Sequence, residues 1–180
     1  MNKFDTAIKW SRASIEKEDL NVLLPLIDKI DPKHILEIGA WRGLSANMWL
    51  LAFKPERFIT IEKESSDKVE AIRIPDHLGW QMWYESDSHD QRVLDTVKIY
   101  MPVVDFLFID GDHSYEGVKK DWEMYGPLVR KGGIVAFHDI AIHVDPTEQV
   151  DLLWKEVKDG YNSVEIKESP NSTGIGVLFI

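Results

Sequence analysis

With 180 residues, 44% of them hydrophobic and 29% charged, the chain is long enough for one domain with a full core and too apolar to be disordered. Its 21 basic against 31 acidic residues, a formal charge of −10, argue against nucleic acid or an anionic membrane surface as main partner, because phosphate binding needs clustered cations. No cysteine is present, which removes disulfides, thiolate nucleophiles and cysteine-held metals and fits a cytoplasmic location; the N-terminal stretch lacks the apolar core of a signal peptide, and no apolar run approaches the roughly 20 residues that span a bilayer.

The first 30 residues read as two amphipathic helices. Phe4, Ala7, Ile8, Trp10 and Ile15 fall near one face of the first, and Leu20, Leu23, Leu24, Ile27 and Ile30 keep a helical period in the second. Pro25 is expected to kink or split the second. This extension either packs on the main domain or serves dimerisation or the covering of a substrate.

From residue 33 onward strands and helices alternate. His34–Ile38, Arg57–Glu62, Gln81–Glu85, Val103–Asp110 and Ile134–His138 read as strands. The intervening helices are Leu44–Phe53, Ser66–Ile74 (stopped by Pro75), Asp90–Tyr100 and Tyr115–Tyr125, with Thr147–Lys158 after the fifth strand. Two last strands, Val164–Glu168 and Gly174–Ile180, have only a turn between them and form an antiparallel hairpin. Apolar strands separated by helices predict an α/β fold: a doubly wound, mostly parallel seven-stranded sheet with helices on both faces and an antiparallel last strand. The whole of 1–180 reads as one domain, with 1–30 as a helical extension and 33–180 as the core.

Such sheets bind ligands outside the carboxyl ends of their strands, and those ends are rich in acids and glycines. The first strand runs into Glu37-Ile38-Gly39-Ala40-Trp41-Arg42-Gly43-Leu44-Ser45. Gly39 permits a tight turn and close backbone approach, and Gly43 lets the next helix start near the strand. Glu62 ends the second strand, where a carboxylate can accept from both hydroxyls of a ribose. Trp41 occupies the place where a dinucleotide fingerprint carries its second glycine, and Glu37 adds negative charge beside the turn. Both oppose a pyrophosphate and favour a phosphate-free nucleoside bearing a cation. Asp87, in Glu85-Ser86-Asp87-Ser88, suits an adenine amino group or a plain Asx turn. Asp110, His113, His138 and Asp139 follow the fourth and fifth strands and should converge. Two carboxylates there can hold a hard divalent cation, and His113 can take a proton from a hydroxyl. The same residues also suit local capping, and Ser114 suits the N-cap of the next helix with Glu116 in its first turn. His34 and His143 carry no assignment.

The run from Ile35 to Ser45, then Ile61-Glu62, then Phe108-Ile109-Asp110-Gly111-Asp112-His113-Ser114-Tyr115-Glu116-Gly117, then Gly132-Gly133 to Phe137-His138-Asp139, resembles class I S-adenosylmethionine-dependent methyltransferases. More narrowly it is similar to the group of cephalosporin hydroxylase-like proteins and sugar or macrolide O-methyltransferases. The resemblance covers about residues 33–140; the terminal hairpin fits it, and residues 1–30 match nothing nameable. It implies a Rossmann-like sheet and S-adenosylmethionine as cofactor. Gly39 and the backbone of Ala40 and Trp41 would then hold the methionine part, with Glu37, Gly43 and Ser45 in the same turn. Glu62 would bind the ribose, and Ser86 and Asp87 would lie by the adenine. It further implies magnesium or manganese at Asp110, His138 and Asp139, and His113 as general base beside Asp110. His138 departs from the usual pair of oxygen ligands, and imidazole suits manganese, zinc or nickel better than magnesium.

The implied reaction is O-methylation of a small-molecule hydroxyl acceptor, such as a sugar or secondary metabolite. Two other readings stand beside it: a catalytically inactive nucleoside-binding module, and an NAD-dependent oxidoreductase, which Trp41 opposes. Seven tryptophans leave room for the apolar interface of a homodimer. The segment from Ala141 to Glu148 is either a lid or a connection.

Overall fold

The computed structural model describes residues 3–11, 15–63, 80–141 and 145–180. Its central strand β4 (Val104–Ile109) is buried along its whole length. Phe106 and Phe108 enter one core while Leu107 and Ile109 enter the other, as the period-two alternation of a strand covered on both faces requires. Around it stand β1 (His34–Ile38), β2 (Arg57–Glu62), β3 (Trp80–Glu85), β5 (Val129–His138), β6 (Asn162–Ile166) and β7 (Ile175–Phe179). The seven strands take the order β3-β2-β1-β4-β5-β7-β6. Neighbours from β3 to β5 pair in parallel, and β7 runs antiparallel to both β5 and β6. Because β1 sits between β2 and β4, strand order reverses there, and a crevice opens at the carboxyl ends of β1 and β4.

The helices are α1 (Asp5–Ser11), α2 (Lys17–Asp28), α3 (Leu44–Phe53), α4 (Gln91–Tyr100), α5 (Tyr115–Tyr125) and α6 (Val150–Val157). The extension joins the main domain. Phe4, Ala7, Ile15, Leu20, Leu23, Leu24 and Ile27 share one core with Trp49, Phe53, Phe106 and Phe108. Trp49 meets Phe106 and Phe108 edge-on, each at 5.1 Å between ring centres. Asp19 of α2, itself buried, accepts from the Glu168 amide and the Ser172 hydroxyl in the β6–β7 turn.

Of the two expectations for Pro25, a kink or a split, the split is corrected: α2 runs through it as one helix. An interior proline costs about 3 kcal/mol. Full burial of Leu20, Leu23, Leu24 and Ile27, at about 1.5–3 kcal/mol each, outweighs that. Ile15 falls beyond α1 and reaches the core from the connection instead. Helix α6 begins at Val150 rather than Thr147, because Asp145 captures the Thr147 amide and hydroxyl in a turn. Strand β5 begins at Val129, before the glycine pair, and its pairing with β4 shifts register between Val104 and Phe106. The expected helix Ser66–Ile74, His143 and the middle of the Ala141–Glu148 segment lie outside the described residues. No helix among the described residues is long and apolar enough to cross a membrane.

Candidate functional site

The loops leaving β1 and β4 touch. Gly39 has φ +88°, and a Cβ there would lie 1.9 Å from the Asp110 carbonyl oxygen. Sterics at that φ and the lack of space both demand glycine. Gly43 has φ +77° and precedes α3, and Trp41 between them has φ +44°, a conformation that costs a residue with a side chain about 1–2 kcal/mol. The Trp41 amide donates to the Glu62 carboxylate at the end of β2. That bond ties the turn to the next strand. A carboxylate has about four acceptor positions, so Glu62 retains capacity for a ligand's hydroxyls.

The cleft above these loops has a volume of about 630 Å³, within the usual range for a small-molecule site. Gly39, Ala40, Trp41, Ser45, Glu62, Ser86, Asp87, Asp110, His113, His138 and Asp139 all line it. Trp41 is 59% exposed, so its ring stands at the rim. Asp87 accepts from the His89 amide in an Asx turn and pairs with Lys63 at 3.0 Å. These two contacts, in that order, hold its pKa below the usual value.

Two of the expected cofactor contacts are corrected. Glu37 and Gly43 do not line the cleft. Glu37 is fully buried beneath it, receiving bonds from the Trp49 indole at 2.9 Å and the Thr60 hydroxyl at 2.7 Å. Burial raises its pKa to about 7 against the pull of its hydrogen bonds from Ser45, Thr60 and Trp49.

At the other end of the cleft two carboxylates meet two imidazoles. His138 Nδ1 lies 3.1 Å from Asp110 and 3.2 Å from Asp139. His113 Nε2 lies 3.3 Å from each of the same carboxylates. Burial lowers the His138 pKa, but Asp110 and then Asp139 outweigh it and raise it to about 10. Burial opposes ionisation of Asp110 and Asp139 too, yet the imidazoles win and hold both carboxyls below the usual range. His113 is raised chiefly by its contact with Asp110. Asp139 adopts φ +62°, a second strained residue in the cleft wall.

Among the described residues the group able to hold a metal ion is Asp110, His113 and Asp139, whose ligand atoms lie within 4.8 Å of one another. The expected set had His138 in place of His113; both imidazoles adjoin the same two carboxylates, His138 Nδ1 within 3.2 Å and His113 Nε2 within 3.3 Å. Two carboxylate oxygens and one imidazole nitrogen fit a divalent cation, manganese more readily than magnesium.

Sequence reasoning missed three residues. Thr173, delivered by the turn before β7, lines the cleft and bonds Asp139; nothing in a Ser-Thr-Gly turn announced it. His89 also lines the cleft, and its ring reaches the buried Asp121 of α5. The available signal was an acid on the buried stripe Val118, Asp121, Tyr125.

Comparison with known proteins bears on this geometry. The profile of a family described as "Methyltransferase domain" matches residues 36–140. Probable caffeoyl-CoA O-methyltransferase 3 of Dictyostelium discoideum is 29% identical over 125 residues, 64% of this chain and 47% of its own. The chain spans about half the length of the curated relatives it matches first. Among solved structures, the O-methyltransferase TomG from Streptomyces achromogenes, in complex with SAM, aligns with a TM-score of 0.68 at 18% identity, covering 100% of this chain and 90% of TomG. MycE, a methyltransferase from the mycinamycin biosynthetic pathway solved with Mg, SAH and mycinamycin VI, aligns with a TM-score of 0.68 at 19% identity, covering 98% of this chain and 54% of MycE. At these identities both share the fold.

Proposed function

We propose an activity for this chain, which belongs to the methyltransferase-domain family: transfer of a methyl group from S-adenosylmethionine to a hydroxyl of a small molecule. The observation that carries the reading is the join between Gly39, pressed against the Asp110 carbonyl, and Glu62, which fastens the Trp41 amide across the same cleft. That join leaves a carboxylate-rimmed space suited to a nucleoside carrying a positive centre.

Glu62 would accept from the ribose hydroxyls. Ser86 and Asp87 would stand by the adenine, and the backbone of Gly39 to Trp41 by the methionine part. The carboxylates at the far end would draw the cationic end of the cofactor toward Asp110. Methyl transfer needs alignment and loss of the acceptor proton. His113, partly exposed in the cleft and raised in pKa, would receive that proton, with Asp110 orienting its ring. Asp110 and Asp139 would hold a divalent cation, with His113 Nε2 as the third donor. When bound, such an ion would lower the pKa of the acceptor hydroxyl. One nitrogen cannot bind a cation and take a proton together, so His113 serves as base when the ion rests on the carboxylates alone or is absent.

The test is release of S-adenosylhomocysteine from S-adenosylmethionine across a panel of hydroxylated small molecules, in chelator and with manganese or magnesium. Turnover on a hydroxyl acceptor is expected. Binding of S-adenosylhomocysteine without turnover on any acceptor would favour an inactive nucleoside-binding module. The observation behind that second reading is His138, whose imidazolium already offsets one of the two carboxylate charges.

A further inference from the structure

The geometry points to His89 and Asp121 as a positioning pair that latches the adenine side of the cleft to helix α5, an inference that rests on the cofactor reading above. Asp121 is fully buried in the middle of α5. Neither of its oxygens has a hydrogen-bond donor among the described residues. Its counter-ion is His89 Nε2, at 3.3 Å. The same nitrogen lies 3.1 Å from the Gly117 carbonyl, so the ring is docked on α5 at two points. A third attachment is the Tyr125 hydroxyl, which donates to the Ser88 carbonyl at 2.8 Å.

The loop held in this way carries Ser86, Asp87, Ser88 and His89, all of which line the cleft. The His89 amide also closes the Asx turn on Asp87, at 2.9 Å. On its other side Asp121 lies under the exit of β4, where a Cβ on Gly111 would come within 3.3 Å of its carboxylate. One buried anion therefore sits between the two loops that shape opposite parts of the cleft.

A buried carboxylate with a single cationic partner is tolerated only while that partner is charged. The charged groups around the His89 ring are Asp121 from α5, Asp87 from its own loop at 3.9 Å, Lys63 beyond β2, which pairs with Asp87, and Asp112 after β4. Farther out, Glu116, Lys119, Lys120 and Glu123 of α5 line a shallow cavity beside the ring, two acids against two lysines, so the nearer carboxylates decide, and the His89 pKa is raised, first by Asp121. As pH rises through that titration the latch loses its charge pair, and the adenine wall is held on α5 only by the Gly117 and Tyr125 bonds. Cofactor affinity then falls with rising pH. Titration of His113 is common to the wild type and to variants at His89 or Asp121, so the difference between their pH profiles isolates the latch.

The experiment measures S-adenosylhomocysteine binding by calorimetry from about pH 6 to about pH 9 in the wild type, Asp121→Asn and His89→Gln. In the same three proteins, ligand-free histidine resonances are titrated by NMR. The wild type should lose about ten-fold in affinity across the range. Both variants should lack that ten-fold component relative to the wild type. His89 should titrate above the ordinary 6.5 and return toward it in Asp121→Asn. Equal slopes in all three proteins, or a His89 titration unchanged by Asp121→Asn, would overturn the inference. Should S-adenosylhomocysteine bind none of them, the cofactor reading fails, and the ligand-free NMR titration alone decides whether the pair is coupled. If Asp121→Asn does not fold, His89→Gln keeps a donor toward Gly117 and carries the comparison.

Discussion

Replacing Glu62 separates its two jobs. In the wild type one carboxylate oxygen fastens the Trp41 amide, and the side chain lines the cleft. Glu62→Ala removes both the ribose acceptor and the fastening of a turn that already contains the strained Trp41. Loss of charge-assisted bonds to the ribose costs about 1.5–3 kcal/mol, which is roughly 12- to 160-fold in Kd. Glu62→Gln keeps an oxygen for the Trp41 amide but loses the charge, and about 1 kcal/mol, roughly five-fold, is expected. Calorimetry with S-adenosylhomocysteine reads both variants against the wild type. A Glu62→Ala protein with wild-type affinity would refute the ribose role, and the cofactor placement would go with it.

Three further outcomes follow from the same geometry. Gly39→Ala must move the Asp110 carbonyl by more than 1 Å, since an alanine Cβ would start 1.9 Å from it. It should cost about 2–4 kcal/mol, lower Tm by about 5–15 °C and abolish cofactor binding; an unchanged melting curve would refute the close-approach argument. His113→Ala should retain S-adenosylhomocysteine binding while cutting turnover about 10²–10⁴-fold. The wild-type rate should rise with pH through the raised His113 titration, because the base must be neutral, and a pH-independent rate would remove it from that role. In chelator, His138 makes stability pH-dependent. Its folded pKa, raised to about 10, lies above the ordinary 6.5, so its contribution is present below about pH 6.5 and is lost as pH rises toward 10. Glu37, raised to about 7, acts in an earlier window between its ordinary 4.5 and 7. The urea midpoint should therefore fall between about pH 7 and pH 10, and a flat or rising profile would count against the imidazolium between Asp110 and Asp139.

The alternation of apolar strands with helices was enough to read the parallel sheet, because each βα unit writes its own period locally. The helices Leu44–Phe53 and Tyr115–Tyr125 matched to the residue. The turn at Gly39 and the acids at strand ends were legible because doubly wound sheets place ligands at those ends by rule. Which acid faces the cleft was a different matter. Glu37 lies two residues before Gly39 and sits beneath the floor, while Glu62, from a different strand, lines the cleft. The place of His113 beside Asp110 and Asp139 in the metal-capable group depends on how two loops meet, and so does the pairing of His89 with Asp121 across 32 positions of chain. Local pattern specifies an element and its buried face, since propensity and period act over a few residues. Contacts between loop side chains are set by the packing of the elements that carry them, and only the assembled sheet and helices decide those.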